Sequence, residues 1–269
     1  MTEDYRLWRE EAYLLAQQLL GNKPRKCTTF TNKLLDICIR AQGKDFLLIH
    51  NPGGWGSTDL EHLLNWERSV VEGIRATIER QGHSWLFIQY FRCGRSQWAH
   101  MRDMKEQTRF FFTGKIFKAE VMAAELKFIT QHLNNLKILL IGASHGAAFS
   151  NTVMRQLGEL HQIYSIELGM FFSQMPRRVV TERTLAIDSN GHMPDPVVLR
   201  NLKATSKTYI TAPYRWLKYW LEGNPVKFSY CINVPGHEYD WSYPAVQQKI
   251  VEFLRANFGT KNNLENSLS

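Results

Sequence analysis

Three short runs, Phe46-Leu47-Leu48-Ile49, Trp85-Leu86-Phe87-Ile88 and Ile138-Leu139-Leu140-Ile141, hold no charged or alternating polar residue. A strand with one wet face alternates apolar and polar side chains, so a strand that is apolar throughout must be covered on both faces. Between these runs lie segments with apolar residues at helical spacing. Leu63, Val70, Ile74 and Ile78 precede Gly82, and Met122, Leu126, Ile129 and Leu133 form a second stripe. Further strands are expected at 163–168, 184–188 and 228–234, with a helix over 147–157. A last helix carries Val246, Ile250, Phe253, Leu254 and Phe258 on one face. Buried strands alternating with amphipathic helices specify an α/β fold, a mostly parallel sheet with helices on both faces.

Ahead of the first run, Trp8, Ala12, Leu15 and Leu19 mark a helix closed by Gly21 and Pro24, while 25–44 is ambiguous. Residues 1–44 are therefore expected to form an N-terminal helical extension packed on a body spanning 45–258, with a polar tail at 259–269. No internal repeat or linker divides the body, and α/β chains of about 250 residues commonly form one domain.

Charge decides little. Lys and Arg number 33 against 25 Asp and Glu, a net +8. Between 175 and 221 there are eight basic and three acidic residues, without a run of five like charges, which reads as a solvated basic face. No recognition helix, zinc pattern or aromatic-basic sheet motif accompanies it, so nucleic acid is not an expected partner. Cys27, Cys38, Cys93 and Cys231 form no CxxC pair, and the N-terminus has no basic segment leading into an apolar core. A reduced, cytoplasmic setting is expected. No apolar run approaches the roughly 20 residues of a membrane span, and no His-x-x-x-His or Asp-rich cluster suggests a metal. The sequence leaves oligomeric state open.

The chemistry concentrates at Gly142-Ala143-Ser144-His145-Gly146, a Gly-x-Ser-x-Gly placed directly after a strand and before a helix. A Ser in such a sharp turn holds its hydroxyl clear of the chain, and the following helix aims N–H groups at an oxyanion. Ser144 is thus the candidate nucleophile. It needs a base and an orienting acid. His237, in Pro235-Gly236-His237 after the expected last strand, stands at the same sheet edge. For the acid, Asp188 at a strand end comes first, Asp195 in Met193-Pro194-Asp195-Pro196 second, and Glu167 third; His192 lies near this acid loop. An oxyanion hole would take the His145 N–H and a donor from His50-Asn51-Pro52-Gly53-Gly54-Trp55-Gly56, with Gly53 ahead of Gly54.

Together these segments resemble the α/β-hydrolase family over residues 45–258. The His-Asn-Pro-Gly-Gly turn is similar to that family's oxyanion loop, and Phe91-Arg92-Cys93-Gly94-Arg95-Ser96 to its Arg-Gly-x-Gly-x-Ser segment. The order Ser, acid, His is kept. Asn51 and Pro52 depart from the usual loop, His192 stands about where many members place their acid, and the interval before residue 184 is too short for a large cap domain. The resemblance implies an α/β-hydrolase-like fold and a serine hydrolase with a cofactor-free triad, acting on a small-molecule carboxylic ester or thioester through an acyl-serine. The alternative is a catalytically inactive protein of that fold, binding an acyl ligand or a protein partner. Residues 92–117 would then cover the site, either as a packed connection or as an apolar wall with a cationic rim suited to an anionic group. That segment mixes Trp98 and Phe110–Phe112 with Arg95, Arg102, Lys105 and Arg109. Trp55 and Trp98 are the candidate substrate contacts.

Overall fold

The structure, a computed structural model, describes residues 3–93, 97–224, 231 and 233–260. The side chains of residues 3, 4, 97–102, 104 and 209 lie outside that description.

Two helices come first, α1 (Glu3–Leu20) and α2 (Pro24–Ala41). The α2 range is the one the sequence leaves undecided. Pro24 sets the first-turn φ at no hydrogen-bonding cost, and Cys27, Leu34, Leu35 and Cys38 make its buried stripe. Two of those four are cysteines, which behave here as small apolar residues. Then follow β1 (Phe46–Asn51), α3 (Asn65–Arg80), β2 (Trp85–Gln89), α4 (Gln97–Thr113), α5 (Phe117–His132), β3 (Lys137–Ala143), α6 (His145–Leu157), β4 (Ile163–Leu168), β5 (Thr184–Ile187), α7 (Leu202–Leu221) and α8 (Pro244–Phe258).

The five strands form one all-parallel sheet in the order β2-β1-β3-β4-β5. Successive side chains point to opposite faces, which is why the runs are apolar throughout. Leu47, Ile49, Ile138 and Leu140 join a core with α1, α2, α5 and α6. Phe46, Leu48, Leu139 and Ile141 join a second core with α3 and α8. Each such side chain contributes roughly 1.5–3 kcal/mol on burial. The expected strand at 228–234 falls mostly outside the described residues, and the two of its positions that are described together, 233 and 234, are not in a strand.

Strand order places the crevice. From β1 the chain moves outward to β2, then returns to β3 and proceeds the other way through β4 to β5. Helices after β1 and β3 thus leave on opposite faces, and the gap beyond their carboxyl ends is where ligands bind in open α/β sheets. The loop after β1 is the Pro-Gly-Gly turn; the residue after β3 is Ser144.

No described helix is long and apolar enough to cross a membrane. Among the described residues no group of three His, Cys, Asp or Glu could hold a metal ion.

Candidate functional site

Ser144 caps α6 with φ 53° and ψ −114°, one of two described non-glycine residues with positive φ. Such a conformation costs on the order of 1–3 kcal/mol and persists only where its surroundings impose it. Here they do. The Ser144 N–H donates to Leu168 O at the end of β4, 2.7 Å away, and the Ser144 carbonyl accepts from Ala147 and Ala148 at 3.1 and 3.2 Å. The flanking glycines are sterically required. A Cβ on Gly142 would lie 2.6 Å from Gly146 O, and one on Gly146 would lie 2.0 Å from Asn51 O. The motif thus presses α6 against both β3 and the end of β1. Gly146→Ala is expected to destabilise the protein by at least ~2 kcal/mol through this backbone clash, measured by urea denaturation.

His237 sits in the loop before α8, buried. Its Nδ1 is 2.7 Å from Asp195 Oδ2. The same oxygen accepts the Tyr239 hydroxyl at 2.5 Å, while Asp195 Oδ1 accepts the N–H groups of Val197 and Val198 at 2.8 and 3.3 Å. Burial alone would raise the Asp195 pKa. The hydrogen bond and charge of His237, with Tyr239 and the Val197 N–H, outweigh it and hold the carboxyl below its ordinary range. An ionised carboxylate only accepts, so Nδ1 carries a proton, and Nε2 is the ring nitrogen turned away from Asp195. That Nε2 is buried and has no hydrogen-bond partner. Gly169 makes room for the pair: a Cβ there would lie 2.6 Å from Tyr239 and 2.8 Å from His237.

Asp188, placed first among the acids by the sequence, does not meet His237. Arg178 takes it in a two-oxygen contact at 2.8 and 2.7 Å. Glu167, the third candidate, is fully buried on the same arginine at 3.1 Å, with Asn151 at 3.0 Å and Ser165 at 3.1 Å. Burial pushes its pKa up to about 7 against the pull of Arg178, Asn151 and Ser165. A carboxyl whose folded pKa is raised stabilises the fold below its unfolded pKa, and that stabilisation is lost as pH rises through the folded value. The unfolding free energy is therefore expected to fall, on the order of 2 kcal/mol, between about pH 4.5 and 7. Glu167→Gln should flatten that slope in denaturant titrations across the window.

The loop after β1 is held by a buried polar network. Leu60 N–H donates to Gln89 Oε1 at 2.8 Å, which turns the Gln89 amide nitrogen toward His50 Nδ1 at 3.2 Å. His50 Nε2 then donates to Glu67 Oε1 at 3.1 Å, and the Gly53 N–H donates to the same oxygen at 2.8 Å. Gly53, the first-named oxyanion donor, is thus committed to Glu67, which leaves Gly54 as the loop's candidate. Arg92, fully buried, reaches the Gly54 carbonyl at 2.9 Å; a Cβ on Gly56 would strike its guanidinium at 2.7 Å. Desolvation lowers the Arg92 pKa to about 10. Glu67 went unread in the sequence, and Arg92 was named there only as part of a segment, because buried charges look like solvated ones until their partners are known.

The side chain of His145 is buried. Its ring stacks on Phe110 at 5.0 Å between centroids. Burial, then the Arg92 charge, lower its pKa to about 3 against hydrogen bonding to Gly54, so it stays neutral.

These groups meet in a cavity of about 600 Å³ lined by Ser144, His145, His237, Gly53, Gly54 and Glu67. The rest of the wall is largely apolar, from Trp55, Leu63, Leu64, Trp66, Phe111, Phe112, Phe171, Val197 and Val234. So α4 does cover the site, through Thr108, Phe111 and Phe112, but the cationic rim is not found among the described residues: Lys105 and Arg109 are exposed and line no part of the cavity. Arg95 and the side chains of Trp98 and Arg102 lie outside the described residues. Trp55 lines the cavity while half exposed.

Neither a protein-family model nor a curated protein sequence matches the chain.

Proposed function

We propose that the protein is a serine hydrolase of α/β-hydrolase type, cleaving a carboxylic ester or thioester through an acyl-Ser144 intermediate. The observation that carries this reading is that a strained, strand-to-helix Ser144 and His237, itself held by Asp195, line the same cavity. His237 Nε2 takes the proton of Ser144 Oγ as that oxygen attacks the carbonyl carbon. The N–H groups of His145 and Gly54 receive the oxyanion at the start of α6. The leaving group departs with the proton from His237, and water then releases the acid by the same steps in reverse roles. Asp195 holds the imidazole in one tautomer and stays ionised; Tyr239 and the Val197 N–H hold Asp195.

The wall also narrows the substrate. With Glu67 the charged residue among the described lining groups and aromatic side chains around it, neutral acyl and leaving groups are favoured over anionic ones. In a panel of aryl esters with equal leaving groups, kcat/KM for neutral medium-length acyl chains is expected to exceed that for carboxylate-bearing chains by at least ~10-fold. Equal rates would remove the role given to Glu67.

A second reading, an inactive protein of this fold that binds an acyl ligand or a protein partner, takes its support from the unpartnered His237 Nε2. A nucleophile–base hydrogen bond that tightens only around substrate accounts for the same observation. Covalent labelling by a fluorophosphonate separates the two: a binder with an unactivated Ser144 stays unlabelled.

A further inference from the structure

The segment between β5 and α8 carries α7, a 20-residue helix that packs on the body by little of its surface. Thr208 and Ala212 form its buried stripe. On the other side Ile210, Pro213, Trp216, Leu217, Trp220 and Leu221 face outward; Ile210 is 77% exposed and Trp220 60%. At 100° per residue these six fall within a sector of about 140°. Lys203, Lys207 and Lys218, all exposed, run along one edge of that sector, and α7 contains no Asp or Glu.

We propose that α7 is a docking surface for an anionic lipid membrane, lying in the plane of the interface with its Trp-Leu-Ile sector at the boundary between headgroups and acyl chains and its lysines against the headgroups. The two halves of the surface match the two halves of that partner. An amphipathic helix with Trp and Leu on one face and Lys on the flank gains from burying apolar area and from the surface potential together. Tryptophan is at home at the headgroup level because its ring is apolar and its N–H is not. A second copy of this chain fits less well, because two-fold pairing would bring the same lysine edge toward itself. Docking in the plane of the interface needs no spanning helix, and no described helix is long and apolar enough to cross a membrane. It also holds the cavity near the interface: Val197, part of the cavity wall, lies five residues before the helix begins, at most ~18 Å of chain. The inference stands apart from the chemistry assigned to Ser144.

The test uses the full chain with extruded vesicles of phosphatidylcholine alone or with about 30 mol% phosphatidylglycerol, at about 0.1 M and about 0.5 M salt. Co-sedimentation is read beside the emission maximum of tryptophan. Binding to the anionic vesicles, a blue shift and loss at high salt are expected. Trp216→Ser/Trp220→Ser and Lys207→Glu/Lys218→Glu should each lower the partition coefficient at least ~10-fold, with circular dichroism and Tm near wild type because these side chains carry little of the core. A folded wild type that ignores anionic vesicles overturns the proposal whatever the variants do. So does binding that both double variants retain. Light scattering that finds a dimer, turned monomeric by the tryptophan pair with no vesicle binding, assigns the surface to a second copy instead.

Discussion

Ser144→Ala is expected to abolish fluorophosphonate labelling and to lower kcat for a neutral aryl ester by ~10⁴-fold or more, with stability close to wild type. The size follows from how the site is built. In the proposed mechanism Ser144 Oγ is the atom that is acylated, so losing the hydroxyl removes the covalent path and leaves only what the oxyanion donors and the cavity contribute. The fold should tolerate the change, since no bond of the Ser144 side chain helps hold α6: the turn is fixed by its backbone bonds to Leu168, Ala147 and Ala148. Alanine in the same positive-φ geometry carries about the same strain as serine. Intact-mass spectrometry of the wild type after labelling should show one adduct, and peptide mapping should place it on Ser144. Labelling that survives in Ser144→Ala would move the nucleophile elsewhere and sink the triad.

How far the sequence carried this reading depends on what each residue packs against. The sheet was legible because both faces of β1 and β3 are covered, and a doubly covered strand can hold few polar residues. The turn at Ser144 was legible because its glycines answer local clashes, Gly142 with Gly146 and Gly146 with Asn51. By contrast, α7 gave no single apolar stripe to read. Its exposed sector is as apolar as a core face, its buried stripe is Thr208 and Ala212, and Pro213 interrupts the pattern. The oxyanion loop was legible as a turn but not as a donor set. Which glycine N–H is available depends on Glu67, 14 residues away on α3 and indistinguishable in sequence from a solvated helix charge. Lys105 and Arg109 miss the cavity for the same reason: charge in α4 says nothing of the direction in which each side chain leaves the helix.

The two acids make the sharpest contrast, and they make a paired prediction. Asp188 ends the strand run, so position alone favoured it; only the fold shows Arg178 occupying both its oxygens. Asp195 had a local signal of its own. An Asp before Pro, with its carboxylate accepting the N–H two residues on, is a turn former, and that turn fixes the carboxylate before His237 arrives. Asp195→Asn is therefore expected to lower kcat by about 10³- to 10⁴-fold. The amide can present its N–H to His237 Nδ1, which then accepts, and the proton moves to Nε2, where it blocks uptake from Ser144. Shape and volume barely change, so labelling by the fluorophosphonate should slow with the esterase rate and not through unfolding. Asp188→Asn is expected to leave kcat within about threefold of wild type. Its effect is on stability, about 1–2 kcal/mol in urea titrations, because it strips one carboxylate from the buried Arg178 while Glu167 remains. The reverse pattern, with activity lost in Asp188→Asn and kept in Asp195→Asn, would mean that His237 turns away from Asp195 during turnover.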